Sequence, residues 1–165
     1  MTTTEQSSSM PPALTIKSLH LKDSRPILAQ LHSIEKKSFP ANEAFDFNVK
    51  LLGKQNTSIL YASLQDDEEH LPIAYAVFVR WRSIVLLQKL CVAGTFRGRR
   101  IGKVMMLEIL ARARQTGCSA VELWVDPWRT AARCLYLSCG FQDVQYVHDY
   151  YAHGRDGIKM KLHLL

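Results

Sequence analysis

A glycine- and arginine-rich turn between a strand and a helix is the feature that most constrains how this chain folds. Mainly apolar residues from Ser83 to Val92 predict a buried strand, and the turn follows over Gly94 to Arg100. Ile101 to Gln115 then has the apolar spacing of a helix, and Ala120 to Asp126 alternates as a strand does. Two strands joined through a helix predict a right-handed crossover between parallel neighbours.

The segments on either side of this unit predict further antiparallel strands. Before the turn, the sequence predicts a strand over Leu14 to Leu21, a helix after the capping residues Asp23 and Ser24, a short helix over Glu43 to Leu52, and a hairpin of Ser58 to Leu64 with Ile73 to Trp81. After the central unit, it predicts a helix over Thr130 to Ser138 and a last strand pair of Phe141 to Val147 with Ile158 to Leu164. The expected fold class is therefore α/β, with a mixed, mostly antiparallel sheet flanked by helices.

Composition narrows the class of protein. A length of 165 residues predicts one domain, which we expect over 13–165. The segment before it, Met1 to Pro12, is rich in Ser, Thr and Gln, and we expect it to be a disordered tail. This tail lacks the pattern of a secretory signal. No apolar run approaches the ~20 residues of a membrane helix. Four cysteines without a CxxC pair predict small buried thiols rather than a metal site, and a reducing compartment, the cytoplasm or the nucleus.

The basic charge is concentrated at the turn. The net charge of +6 suits nucleic acid, an anionic membrane or a phosphorylated cofactor, and Arg97, Arg99, Arg100 and Lys103 lie within one turn. A glycine-containing turn that opens a helix directs several backbone N–H groups and the helix dipole to one point, where a diphosphate can bind. The turn lacks the GxxxxGK[ST] and GxGxxG patterns, which argues against nucleotide hydrolysis and dinucleotide binding. A solvated basic helix start remains the alternative, and the turn alone leaves both open.

Two motifs together resemble those of one enzyme family. Arg97-Gly98-Arg99-Arg100-Ile101-Gly102 is similar to the acetyl-CoA motif R/Q-x-x-G-x-G/A of the GCN5-related N-acetyltransferase superfamily (GNAT). Ala132-Arg133-Cys134-Leu135-Tyr136 and Gly140-Phe141 resemble its A-x-x-L-Y…G-F helix and following strand. The resemblance covers about Leu14 to Leu164 and is closest in character to the N-terminal acetyltransferases. It implies the GNAT fold, with splayed parallel strands 4 and 5, and acetyl-CoA as cosubstrate.

The resemblance also implies a set of residues that bind acetyl-CoA. The set is Leu90, Cys91, Val92, Arg97, Gly98, Arg99, Arg100, Ile101, Gly102, Lys103, Arg129 and Tyr136. Arg100 replaces the first glycine of the motif, and its side chain must point outward. Arg129 replaces an asparagine that usually touches the pantetheine arm. Cys91 is interpreted as a small packing residue rather than a nucleophile, since no histidine or acid forms a triad with it.

Acetyl transfer to an amine requires a neutral nucleophile and a proton for the leaving thiolate. Tyr136 matches the family tyrosine that protonates this thiolate, and a backbone N–H at Cys91 or Val92 would polarise the carbonyl. Trp124 falls where related enzymes place a Glu or His, so we expect Asp126, acting through water, ahead of Glu122, with His148 or His153 as further alternatives for the base. An α-amine with a pKa of ~7.7–8.0 needs only such a weak base, whereas a lysine at ~10.4 needs a stronger one.

Two local features of the sequence indicate which amine accepts the acetyl group. Tyr150 and Tyr151 resemble the paired tyrosines that hold the peptide backbone in N-terminal acetyltransferases, and Phe39-Pro40 resembles their apolar recognition loop. With Trp124, these residues predict a peptide-binding site and the α-amine of a protein N-terminus as acceptor. The alternatives are acetylation of a small amine (arylalkylamine, polyamine or aminoglycoside) and an acetyl-CoA-binding domain without catalysis. We expect no nucleic-acid or membrane partner, no bound metal, and either a monomer or a homodimer.

Overall fold

Seven strands form a single sheet at the centre of the structure, a computed structural model that describes residues 10–20, 22, 25–45, 47, 54 and 56–165. In chain order the described elements are β1 Leu14–Ser18, α1 Arg25–Ser38, β2 Thr57–Leu64, β3 Ala74–Trp81, β4 Ile84–Val92, a 3-10 turn Gly94–Phe96, α2 Ile101–Gln115, β5 Ala120–Val125, α3 Thr130–Ser138, β6 Gln142–Ala152 and β7 Arg155–His163. None of the three described α-helices has the length and apolar character that crossing a lipid bilayer requires.

The strand order is β1-β2-β3-β4-β5-β7-β6, and the only parallel pair among these strands is β4 with β5. The predicted mixed, mostly antiparallel sheet is therefore confirmed. The parallel pairing runs from Ile84 opposite Ala120 to Leu87 opposite Leu123 and stops there. Beyond Leu87 the two strands separate, which opens a gap in the middle of the sheet.

Helices cover the two faces of the sheet with separate apolar clusters. On one face, Leu31 and Ile34 of α1 pack with Tyr75, Val77 and other buried residues of β2 and β3. On the other face, α2 contributes buried residues over its whole length to the larger cluster, and α3 adds Tyr136. Fully burying one such apolar side chain stabilises the fold by about 1.5–3 kcal/mol. The sheet is thus fixed from both sides around the gap between β4 and β5.

A β-bulge at Gln88 changes which side chains of β4 reach the helices. Val77 pairs with Lys89 and Phe78 with Leu87, so Gln88 has no partner residue on β3. Before the bulge Val85 and Leu87 lie in the cluster with α2; after it Leu90 and Val92 pack there, while Cys91 faces α1. The prediction of a buried strand over Ser83 to Val92 is wrong at Gln88, which is exposed, and neighbouring side chains line an open cavity.

Other boundaries differ from the predictions. The first strand ends at Ser18 rather than Leu21, although Leu19 N still donates to Ile59 O at 2.8 Å. The last strands are longer than expected, since the first continues to Ala152 and the second begins at Arg155. The capping residues Asp23 and Ser24 and most of the helix predicted over Glu43 to Leu52 lie outside the described residues. Cys91 and Cys118 are buried as predicted, but Cys134 is exposed and Cys139 half-buried.

Candidate functional site

Three connected cavities follow the gap between β4 and β5. A long groove of about 690 Å³ runs along the end of β4, the glycine-rich turn and the starts of α2 and α3. A central cavity of about 280 Å³ shares Leu90, Ala132 and Tyr136 with it. An outer cavity of about 620 Å³ shares Trp124 and Tyr151 with the central one. Because neighbouring cavities share lining residues, the three adjoin one another from one end of the sheet to the open face beside Trp124.

The glycine-rich turn directs unpaired backbone N–H groups into the long groove. The first hydrogen bond of α2 runs from Val104 N to Arg100 O at 3.2 Å. The N–H groups of Ile101, Gly102 and Lys103 precede it, so they have no acceptor within the helix, and these three residues line the groove. Together with the positive end of the helix dipole they form an anion-binding cradle.

Two residues of the turn adopt left-handed backbone conformations. Gly98 has a φ of 76°, and Arg100 has a φ of 62° at the N-cap of α2. A left-handed conformation costs a residue with a side chain roughly 1–2 kcal/mol, which explains why the motif places glycine where this chain has Arg100. The backbone of the turn therefore keeps the shape of the motif despite the substitution.

The cations of the turn have different roles. Arg97 donates from Nε to the Val92 carbonyl at 3.1 Å and from Nη2 to Ser38 Oγ at 3.4 Å, so its guanidinium holds the end of β4. Arg99 lies over the Phe96 ring, 5.4 Å from its centroid, and is outside the lining of the groove. Arg100 and Lys103 are exposed and line the groove. Among the predicted cations of the turn, these two are the side chains best placed to bind phosphate.

Tyr136 lies where the long groove meets the central cavity. Its residue is 8% exposed, and burial raises the pKa of its phenol to about 12. Its ring packs near Phe141, with ring centroids 5.9 Å apart. No residue in the described part of the chain hydrogen-bonds its hydroxyl. The Tyr136 phenol is therefore protonated at neutral pH, and its hydroxyl is available to donate a hydrogen bond to a ligand in the gap.

Cys91 is a packing residue in the structure, in agreement with its interpretation from the sequence. Its side chain is buried in the cluster with α1, on the far side of β4 from Leu90 and Val92. Burial raises the pKa of the Cys91 thiol, so the reactive thiolate is disfavoured.

Ion pairs argue against the prediction of Asp126 or Glu122 as the base. Asp126 Oδ2 accepts hydrogen bonds from Arg155 Nε at 3.1 Å and Nη2 at 2.9 Å, and Oδ1 accepts one from Trp128 N at 2.9 Å. Glu122 faces the outer cavity and pairs with Lys159 at 2.8 Å and Lys161 at 3.1 Å. Although burial raises the pKa of the Glu122 carboxyl, the lysine hydrogen bonds outweigh it and hold that pKa below its usual value.

The two histidines are not near the gap either. His148 pairs with Asp156 at 2.8 Å and has 77% of its side chain exposed, and His153 lies fully exposed beside the hairpin turn. Neither lines the three cavities. Among the described residues, the central cavity therefore contains no carboxylate or imidazole that is free of an ion pair.

Three charged residues of the central cavity were missed by the sequence analysis. Arg155 bridges Asp126 and Glu43, and Glu43 also pairs with Arg129 at 3.4 Å. Lys89 donates to the Glu43 carbonyl at 2.8 Å and pairs with the buried Glu35 at 3.0 Å. These contacts fasten the segment after α1 across the gap. In the sequence, only Lys89, a charged residue inside a mainly apolar strand, indicated that such contacts exist.

The contacts of Arg155, Asp126, Glu43 and Lys89 across the gap form an ion-pair bridge. Phe39 and Arg129 contribute to this bridge, whereas Pro40 does not. The Phe39 ring has Lys89 Nζ 3.4 Å and the Arg129 guanidinium 4.8 Å from its centroid. Arg129 thus contacts the segment after α1, and it also lines the long groove, as predicted for a residue that binds acetyl-CoA. Pro40 is exposed and lies outside the lining of all three cavities, because the chain turns away after Phe39.

An aromatic stack forms the wall between the central and outer cavities. The rings of Trp124 and Tyr150 are stacked, with centroids 4.1 Å apart and an interplanar angle of 11°, and Tyr151 meets Tyr150 edge-on at 4.9 Å. The two tyrosines belong to the end of β6, whereas the predicted strand ended at Val147. Gly157 makes the stack possible, since a Cβ there would lie 2.7 Å from Tyr150 Cγ.

We expect Gly157→Ala to weaken the use of the acceptor without weakening the use of acetyl-CoA. The added methyl group overlaps Tyr150 and must move its ring away from Trp124; overpacking of this kind costs about 1–3 kcal/mol. The KM for the acceptor should rise about tenfold in steady-state assays, while the Kd for acetyl-CoA stays the same. An unchanged acceptor KM would show that the stack does not position the acceptor.

Comparison with known proteins identifies the family of this site. A family model described as the acetyltransferase (GNAT) family matches residues 28–141, which span β2 to α3, the turn and Tyr136. The resemblance inferred from the two motifs is therefore confirmed. No curated protein sequence is significantly similar to the chain.

Solved structures share the fold at low sequence identity. The ribosomal-protein-S18-alanine N-acetyltransferase from Escherichia coli is similar with a TM-score of 0.74 and 19% identity, over 92% of this chain and 94% of that one. A chain of the NatC complex bound to Gag peptide and CoA gives 0.76 and 19%, over 93% and 99%. Arabidopsis thaliana NAA60 in complex with acetyl-CoA gives 0.74 and 16%, over 92% and 99%. These likenesses establish the predicted fold over nearly the whole chain.

Proposed function

Because this chain belongs to the acetyltransferase (GNAT) family, we propose that it transfers the acetyl group of acetyl-CoA to the α-amine of a protein or peptide N-terminus. The observation that carries this proposal is the succession of adjoining cavities from the phosphate cradle, past Tyr136, to an open aromatic cavity. The proposal is supported by structurally similar proteins: an N-acetyltransferase, a chain of a complex bound to a peptide and CoA, and a protein in complex with acetyl-CoA.

The long groove fits the shape and charge of coenzyme A. The N–H groups of Ile101, Gly102 and Lys103, with the side chains of Arg100 and Lys103, would hold the diphosphate. Leu90 and Val92 line the groove beyond the end of the β4–β5 pairing, so this part of β4 can bind the pantetheine arm. When bound, acetyl-CoA supplies the acetyl thioester, which these contacts would direct toward the central cavity.

The reaction needs one proton donor and one route for proton loss. The neutral amine nitrogen forms the new C–N bond as the C–S bond breaks, and Tyr136 donates its proton to the departing sulfur. The proton that the nitrogen then loses passes through water and restores the Tyr136 phenol. The amine must reach the thioester neutral or lose its proton to water, because Asp126 and Glu43 are paired with arginine. Much of an α-amine is already neutral near pH 7.5, whereas a lysine amine is almost wholly charged. This difference favours an α-amine as the acceptor.

A small aromatic or polyamine acceptor is the second candidate. Trp81, Trp124 and the two tyrosines give the outer cavity an aromatic lining that suits such a molecule. Initial rates of CoA release with a panel of peptides and a panel of small amines test the two candidates side by side. We expect turnover with peptides that have a free N-terminus and none with the same peptides blocked at the N-terminus. Turnover confined to small amines would overturn the peptide assignment.

A further inference from the structure

The outer cavity is long enough for several residues of an extended peptide. Its lining continues from Gln88, beside the central cavity, back along β4 to Leu86 and Ile84 and ends at Trp81. A strand rises about 3.3 Å per residue, so Gln88 to Ile84 spans about 13 Å. About four extended residues cover this distance. A small amine whose nitrogen lies in the central cavity would leave most of this surface uncovered.

The charge on this surface is positive overall. Among the described residues that line the outer cavity, Glu122 is the one carboxylate and Lys159 the one cation. Lys161, next to the lining, pairs with the same carboxylate as Lys159 does. The two lysine side chains remain 29% and 25% exposed. At the rim, Arg82 lies over the Trp81 ring, 5.2 Å from its centroid. Two lysines therefore share one carboxylate, which leaves net positive charge beside the cavity, and a further carboxylate would be attracted here.

Strand register places this charge close to the entrance of the central cavity. Trp124, at the boundary, pairs with Lys159, and Glu122 pairs with Lys161 on β7 and with Leu86 on β4. Glu122 is thus two residues along β5 from Trp124, a distance of about 7 Å. Two residues of an extended acceptor cover that distance, so its second to fourth residues pass the lysines while its α-amine reaches the thioester.

We propose that the outer cavity binds the second to fourth residues of the acceptor and selects chains with an acidic residue among them. This inference rests on the proposed function and adds the class of N-terminus that the enzyme acetylates. Apolar contacts with Leu86, Ile84 and Trp81 hold the chain on the sheet, and Lys159 and Lys161 discriminate by charge. A lysine or arginine at the same positions is repelled.

Peptides that differ only in one charge test this selection. Each peptide has the same first residue and carries Glu, Gln or Lys at position 2, 3 or 4, and kcat/KM is measured by CoA release. We expect at least one position at which the Glu peptide exceeds the Lys peptide by about tenfold, with the Gln peptide between them and the ratio falling as salt is raised. Lys159→Gln should reduce this ratio several-fold and leaves the Lys161–Glu122 pair in place. Lys17→Gln, at the exposed residue of the edge strand β1, is the matched control and should keep the wild-type ratio.

Three results would overturn the inference. Equal kcat/KM for Glu, Gln and Lys peptides at all three positions would remove the charge selection while leaving the proposed function intact. A ratio unchanged in Lys159→Gln would show that the outer cavity is not its source. Turnover of small amines with no turnover of any peptide would overturn the inference and the proposed acceptor together.

Discussion

Tyr136→Phe is expected to lower kcat by about 100-fold and leave the Kd for acetyl-CoA within twofold of the wild type. The substitution removes the group that we propose donates a proton to the leaving thiolate, and general acid catalysis contributes typically 10²–10⁴-fold. The ring remains, so the contact with Phe141 and the lining of the groove are kept. Because no described residue hydrogen-bonds the Tyr136 hydroxyl, its loss should change the free energy of unfolding little. Stopped-flow and steady-state kinetics, with calorimetric titration of acetyl-CoA, measure the two constants.

The pH dependence and a control variant complete this test. Burial raises the pKa of the phenol to about 12, so the phenol stays protonated. The wild-type rate should therefore show no decrease through loss of this proton at any pH up to about 11. It should rise with pH as the α-amine becomes neutral near pH ~7.7–8.0. Tyr146→Phe removes a hydroxyl that bonds Asp156 outside the three cavities and should leave kcat unchanged. A kcat for Tyr136→Phe equal to that of Tyr146→Phe would remove Tyr136 from the mechanism.

Gly102→Asp is expected to weaken acetyl-CoA binding by 100-fold or more. The new carboxylate lies beside the N–H groups of the cradle, where it competes with the diphosphate and repels it. At the start of α2 an acidic residue is favourable for the helix, which limits the loss of stability. Isothermal titration of acetyl-CoA gives the change in Kd, and thermal unfolding shows that the variant is folded.

Gly102→Ala separates the effect of charge from that of volume. A Cβ at this position lies 3.2 Å from Leu135 Cδ2 and 3.8 Å from Val92 Cγ2, so a methyl group requires only a small shift of flexible side-chain ends. We expect a loss of affinity of at most several-fold in this variant. Equal losses in the Ala and Asp variants would assign the effect to packing between α2, α3 and β4 and would contradict a diphosphate at this place.

The parts of the site that local sequence determines were predictable. The turn at Gly98 to Lys103 needs a left-handed glycine, a helix start and nearby cations, and all of these are visible within a few residues. The alternation from Ala120 to Asp126 likewise assigned Glu122 and Trp124 to the open face, since period-two spacing fixes the direction of a side chain in a strand.

The ion-pair bridge could not be predicted, because it joins residues that are distant in the chain. Arg155 lies 112 positions from Glu43 and 29 from Asp126, and these distances become short only after the sheet and the final hairpin have formed. For the same reason Asp126 looked like a free base: its position on the strand was visible in the sequence, but its arginine partner was not.

The bulge at Gln88 and the length of β6 escaped prediction for other reasons. No glycine or proline marks the bulge. Apolar residues occur on both faces of β4, so the sequence does not show at which residue the side chains change face. Strand β6 is at the edge of the sheet, and nearly all its residues are exposed. Without a buried face it has no apolar alternation, and only its pairing with β7 defines its end.

Titrations of coenzyme A and of pantetheine measured side by side test the central claim most directly. If the backbone cradle at Ile101 to Lys103 binds the diphosphate, coenzyme A should bind at least ~100-fold more tightly than pantetheine, which lacks it, because charge-assisted hydrogen bonds contribute about 1.5–3 kcal/mol each. This advantage should decrease at higher ionic strength. Equal affinities for the two molecules, or no measurable binding of coenzyme A, would contradict the account.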